Sequence, residues 1–135
     1  MTKRVLYIED RPDNRGLVRR VLMAEGIEVI EAANADDGIS LAIQHLPDLI
    51  LMDISMPGKD GLTATQELRA NPNLDHIPII ALTANVMKGD RERTLEAGCD
   101  GYIPKPIDVD RFPAEILNFI ARGRVKHESQ QSSSG

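Results

Sequence analysis

Five side chains able to do chemistry stand at the ends of short apolar runs. Asp53 follows Leu49-Ile50-Leu51-Met52 and leads into Ile-Ser-Met-Pro-Gly. Glu9 and Asp10 follow Val5-Leu6-Tyr7-Ile8, Thr83 ends the Ile79–Leu82 run, and Lys105 follows Gly101-Tyr102-Ile103-Pro104. An apolar run ending in an acid, with Pro57 and Gly58 soon after, reads as a buried strand delivering a carboxylate to a loop. If these strands are parallel, one edge of one sheet gathers three carboxylates, a hydroxyl and an ammonium. Carboxylates held close together repel each other unless a cation joins them. Oxygen-only ligands favour a hard ion such as Mg²⁺, which keeps several waters and takes one or two protein carboxylates. Asp10 and Asp53 are the natural direct ligands, with a backbone carbonyl from the loop after Asp53 as a third. Glu9, one methylene longer, suits contact through water. No His or Cys lies near these strand ends, which argues against zinc. With its charge neutralised, the Asp53 carboxylate can attack phosphorus and form an acyl phosphate. Lys105 would add fixed positive charge for the transferring group, and Thr83 a hydroxyl donor.

Each residue alone also has an ordinary structural role. An acid after a strand commonly serves as a loop residue or helix cap, Lys105 as a solvated edge lysine, and Thr83 as a cap for the next helix. Tyr102 would serve as core filler. Their joint placement at four strand ends is what favours a site.

The elements that must position them alternate in type. Strands are expected near Arg4–Ile8, Glu28–Ala32, Leu49–Met52, Ile77–Leu82 and Gly101–Ile103, and helices near Asn14–Ala24, Asp36–His45, Leu62–Ala70, Lys88–Ala97 and Asp110–Ala121. Leu17, Val18, Val21 and Leu22 recur at helical spacing, and Gly26 stands where a left-handed cap is wanted. Ile39, Leu41, Ala42, Ile43 and Leu46 do the same before Pro47. Ile116, Leu117 and Ile120 give the last helix its stripe, and Pro113 is tolerable there if Asp108 or Asp110 caps the start. Strict alternation implies right-handed crossovers and a parallel sheet covered on both faces, as the continuous apolar runs also require. Ligands in such sheets bind beyond the carboxyl ends of the strands, where these acids lie. Pro104 suggests that the last strand is an edge strand.

The 135 residues suit a single α/β domain, and 41% hydrophobic with 27% charged residues is an ordinary globular balance. A net charge of -5 argues against nucleic acid as the main partner. No apolar run approaches the roughly 20 residues that span a bilayer, so no membrane partner is expected. Cys99 is the one cysteine, consistent with a reducing, cytoplasmic setting. From Gly123 to Gly135 there is almost nothing to bury, and a disordered polar tail is expected after a domain covering residues 1–122.

Glu9-Asp10, Asp53-Ile-Ser-Met-Pro-Gly-Lys-Asp-Gly, Ala81-Leu-Thr-Ala and Tyr102-Ile-Pro-Lys-Pro together resemble the motif set of two-component receiver domains. Spacing and order agree from about residue 3 to residue 121, most like single-domain receivers of the CheY and DivK sort or the receiver of a hybrid kinase. The resemblance implies a flavodoxin-like (βα)5 fold, a doubly wound five-stranded parallel sheet of order 2-1-3-4-5. By motif position, Asp53 matches the phosphoacceptor, Asp10 the Mg²⁺ ligand, Glu9 the second acid and Ser55 the residue giving its carbonyl to the metal. Thr83 matches the switch hydroxyl, Tyr102 the switch aromatic and Lys105 the phosphate-binding lysine. A cis bond between Lys105 and Pro106 is similarly implied. Glu9 departs mildly from the pattern, standing where Asp is commoner.

On this reading a sensor histidine kinase or histidine phosphotransfer protein supplies the phosphoryl group. Phosphorylation adds a nearly dianionic group with strong acceptor oxygens. Thr83 would donate to it, drawing in the loop at Ala84 and opening space for Tyr102 to turn inward, a shift between two packings. The altered surface would be the helix starting near Asn85, the last strand and the last helix, where a downstream protein would dock; a homodimer is left open. Two other readings compete. A pseudo-receiver would bind partners without phosphorylation, against which the intact set Asp10, Asp53, Thr83 and Lys105 argues. A phosphohydrolase with an aspartyl nucleophile would want an acid two residues after Asp53, where Ser55 stands. A flavin-binding role is set aside, since Glu9-Asp-Arg-Pro-Asp is acidic where a phosphate cradle is needed.

Overall fold

Five strands join side by side in one parallel sheet, β1 (Arg4–Ile8), β2 (Glu28–Ala32), β3 (Leu49–Asp53), β4 (Ile79–Thr83) and β5 (Gly101–Pro104), in the order β2-β1-β3-β4-β5. The structure is a computed structural model that describes residues 2–54, 60–84 and 88–124. The helices are α1 (Pro12–Met23), α2 (Ala35–His45), α3 (Gly61–Arg69), α4 (Lys88–Ala97) and α5 (Phe112–Arg122). The flavodoxin-like arrangement and its strand order are those expected. Ser55, Asn85 and the tail beyond Arg124 lie outside the described residues.

Side chains on a strand alternate between faces, and here both faces are covered. Leu6, Ile8, Ile50, Met52, Ile79 and Ala81 pack with Ala42 of α2 and Leu68 of α3. Val5, Tyr7, Leu49, Leu51, Ile80 and Leu82 pack with Leu22 of α1 and with Phe112 and Ile116 of α5. β3 and β4 are buried along their whole length, which anchors the residues at their carboxyl ends. Pro104 is exposed on β5, an edge strand, where its missing N–H does least harm.

Local signals set most boundaries. Gly26 adopts φ 79, and its N–H donates to the Met23 carbonyl beyond α1. Asn34 caps α2 by accepting from the Asp37 N–H at 2.8 Å, and the helix stops at a left-handed Leu46 before Pro47. β4 starts two residues later than the apolar run suggests. The Ile77 N–H closes the short turn at Pro72–Leu74 by bonding the Leu74 carbonyl, and Pro78 has no donor. At α5 neither Asp108 nor Asp110 acts as the side-chain cap: Arg111 holds that position, and the Asp108 side chain accepts from the Asp110 N–H instead. Pro113 is the second helical residue, where no N–H is wanted. The expected stripes were too wide. Ile43 and Leu46 are 48% and 51% exposed, and Leu17 and Leu117 also face outward.

Candidate functional site

Strand register brings the acids together. Ile8 pairs with Met52, so the next residues, Glu9 and Asp53, emerge side by side at the carboxyl edge. Asp53 pairs with Leu82, which places Thr83 one step further out, and the Lys105 N–H bonds the Thr83 carbonyl at 2.8 Å. One carboxylate oxygen from each of Glu9, Asp10 and Asp53 lies within 4.8 Å of the other two. Lys105 Nζ donates to Asp53 Oδ1 at 3.0 Å and lies 3.9 Å from Glu9 Oε1. The peptide bond between Lys105 and Pro106 is cis.

Asp53 and Glu9 are both buried, and burial of like charges is costly without a partner. Several donors meet Glu9. Tyr7 Oη donates to Oε1 at 3.0 Å, Asn14 Nδ2 to Oε1 at 3.3 Å, and the Arg11 N–H to Oε2 at 3.2 Å. Arg15 Nη1 donates to the Glu9 carbonyl at 2.8 Å and pairs with Glu31 on β2, which fixes the main chain between Glu9 and Asp10. Burial holds the Glu9 carboxyl above the usual glutamate range, helped by a hydrogen bond to Asp53 and by its charge, against the Arg11 and Tyr7 donors. Burial, then the neighbouring Glu9, pushes the Tyr7 phenol far up and keeps it protonated.

α3 backs directly onto the end of β3. A Cβ on Gly61 would stand 2.5 Å from the Asp53 carbonyl oxygen, so only glycine lets the helix start this close. Asp60 caps the helix by accepting from the Thr63 N–H at 2.8 Å. Thr83 is buried, Ala84 is exposed and Tyr102 is half-buried against the α2–α3 side of the sheet. Between α1 and the segment after β5 lies a cavity of about 360 Å³, lined by Tyr7, Asn14, Leu17, Ala84, Lys105 and Ile107 among others.

The oxygen-only donor set, with three carboxylates converging and a lysine balancing part of their charge, fits a hard divalent cation. The profile of the response regulator receiver domain matches residues 5–117. The chain belongs to that family. It is 45% identical over 120 residues to the polar-differentiation response regulator DivK of Brucella ovis, covering 89% of this chain and 98% of that one. The receiver domain of the sensor histidine kinase PA1611 from Pseudomonas aeruginosa superposes with a TM-score of 0.82 at 36% identity, over 90% of this chain and 99% of that one. The chemotaxis protein CheY4 of Vibrio cholerae shares the fold at a TM-score of 0.83 and 23% identity, covering 87% and 98% of the two chains. This receiver is a phosphorylation-switched signalling domain of two-component systems. No helix among the described residues is long and apolar enough to cross a membrane.

The sequence pointed to Glu9, Asp10, Asp53, Thr83 and Lys105, which the structure gathers at one sheet edge, but the roles of Tyr7, Asn14, Arg15 and Gly61 became visible only with the fold. For Tyr7 a signal existed: a residue two before Glu9 on a strand shares its face. Arg15 and Gly61 act on main-chain atoms of the acid-bearing segments, which no side-chain motif reveals.

Proposed function

We propose that Asp53 is the phosphoacceptor of this receiver, taking a phosphoryl group from a phosphohistidine of a sensor histidine kinase or a histidine phosphotransfer protein. The observation that carries this is Lys105 Nζ at 3.0 Å from Asp53 Oδ1, with the Glu9 and Asp10 carboxylates on the same strand edge. A carboxylate oxygen of Asp53 attacks phosphorus, the bond from phosphorus to the donor nitrogen breaks, and that nitrogen keeps the electron pair. Lys105 follows the negative charge from the carboxylate to the phosphoryl oxygens, and Thr83 donates its hydroxyl to one of them. Asp10 and Asp53 would hold Mg²⁺ directly with the Ser55 carbonyl, and Glu9 through water. When bound, the ion would add positive charge to that of Lys105 for the transferring group. The PA1611 receiver is described with a magnesium ion coordinated in its active-site cleft, which supports this assignment.

Output follows from repacking. Thr83 drawn toward the phosphoryl group moves the segment at Ala84, and Tyr102 turns into the space. The face made by α4, β5 and α5 then presents an altered surface to a downstream protein. The test is intact-protein mass after incubation with acetyl phosphate, with and without Mg²⁺, for wild type and Asp53→Asn. A Mg²⁺-dependent gain of one phosphoryl group, absent in the variant, is expected. No adduct, with turnover excluded by measuring phosphate release, would overturn the reading and favour a pseudo-receiver.

A further inference from the structure

Tyr7 stands on β1 two residues before Glu9, so both side chains leave the same face of the strand. Its ring fills the core between the sheet and helices α1 and α5 and is only 1% exposed. Phenylalanine would fill that space as well, so the hydroxyl is the part that packing does not require. A buried hydroxyl needs a partner. This one donates to Glu9 Oε1 at 3.0 Å, from beneath the acidic cluster. Asn14 Nδ2 reaches the same oxygen from α1, and the Arg11 N–H holds Oε2.

We propose that Tyr7 is a positioning residue for the divalent cation, fixing the long Glu9 side chain so that its carboxylate stays where a metal-bound water can meet it. A glutamate has one more rotatable bond than an aspartate and loses more freedom when held. Donors converging on both oxygens fix the plane of the Glu9 carboxylate, so the side chain neither swings onto the ion nor turns away from it. Tyr7 and Glu9 thus form a matched pair. Aspartate at position 9 would withdraw the carboxylate by about one carbon–carbon bond length, out of reach of the phenol. The inference rests on the metal assignment made above for Asp10 and Asp53.

Mg²⁺ affinity of the full chain, measured by calorimetry without any phosphodonor, tests it. The set is wild type, Tyr7→Phe, Glu9→Asp and the double variant, with thermal melts in chelator to confirm that each is folded. Loss of a partner that orients a direct ligand typically weakens metal binding about 10–100-fold, and because Glu9 meets the ion through water the lower end applies to Tyr7. Tyr7→Phe is therefore expected to raise Kd about tenfold in the Glu9 background and less than about twofold in the Glu9→Asp background. Asn14→Ala, which removes the longer bond to the same oxygen, is expected to act in the same direction more weakly, and serves if Tyr7→Phe does not fold. An unchanged Kd in Tyr7→Phe, or equal weakening in both backgrounds, would overturn the role of Tyr7 while leaving the metal site standing. Wild type that binds no Mg²⁺ would sink both.

Discussion

The Lys105 ammonium touches the Asp53 carboxylate at 3.0 Å while remaining within 3.9 Å of Glu9, so one cation serves two buried acids. That geometry follows from β5 lying beside β4, with the Lys105 N–H bonded to the Thr83 carbonyl at the end of β4. In the proposed transfer, the lysine would follow charge from the carboxylate to the phosphoryl group.

Lys105→Ala should therefore slow acyl phosphate formation from acetyl phosphate on the order of 10²-fold, the usual effect of losing one positioned donor to developing charge. Time-resolved intact-protein mass spectrometry reads this directly. Lys105→Arg keeps the charge but spreads it over a planar fork, so it should recover only part of the rate. A Lys105→Ala rate within a factor of about three of wild type would remove the lysine from the transfer step.

Glu9 makes a pH prediction with a definite sign. Its folded carboxyl is held above the ordinary value, chiefly by burial and by Asp53. Between the unfolded value and the raised folded one, the folded state keeps a proton that the unfolded chain has lost. Rising pH then favours unfolding, so Glu9 contributes stability below the ordinary glutamate range and loses it as pH climbs through the folded value. Glu9→Gln cannot lose that proton and should flatten this part of the profile, leaving the metal-free protein more stable at neutral pH. Urea unfolding across pH 4 to 8 in chelator checks it. Mg²⁺ should restore wild-type stability at neutral pH more than it does that of Glu9→Gln. A variant that tracks wild type across the whole range would contradict the assignment.

How far the sequence could be read depended on how local each signal was. Asp53 and Glu9 could be placed side by side because each follows a buried run whose faces and ends are set by a few neighbours. Helix ends followed from Gly26 and Pro47 for the same reason, whereas the Asn34 cap of α2 emerged only in the structure. The stripe on α2 was overread at Ile43 and Leu46, since a helix lying on a sheet buries a narrower band than its apolar residues suggest. Gly61 was not legible as a contact with Asp53, because its meaning lies in a main-chain atom eight positions earlier. Least legible was the ion-pair network at the opposite end of the sheet, which joins residues 31 apart through a turn that no periodicity marks.

That network yields a prediction about stability rather than chemistry. Asp100 is buried just before β5, where Oδ2 accepts from Arg69 Nη2 at 2.6 Å and from the Ile79 N–H at 3.0 Å. Its other oxygen accepts from Arg124 Nε at 3.1 Å, and Arg124 also bonds the Asp75 carbonyl at 3.0 Å. Arg69 further donates to the carbonyls of Gly98 and Ile77, so one carboxylate organises α3, the start of β4, the entry to β5 and the residue beyond α5. Burial lowers the Arg69 pKa but cannot neutralise a guanidinium, and removing its counter-ion would leave that charge uncompensated. Asp100→Ala should therefore lose about 3–5 kcal/mol in urea unfolding. Asp100 lies just before β5 at the amino-terminal edge of the sheet, and Asp53 ends β3 at the carboxyl edge. Mg²⁺ affinity of the variant, measured where it is still folded, should then stay within about twofold of wild type. A destabilised variant with intact metal binding would show that the two edges are energetically separate. A large loss of Mg²⁺ affinity in folded Asp100→Ala would show instead that the network reaches the site through β4.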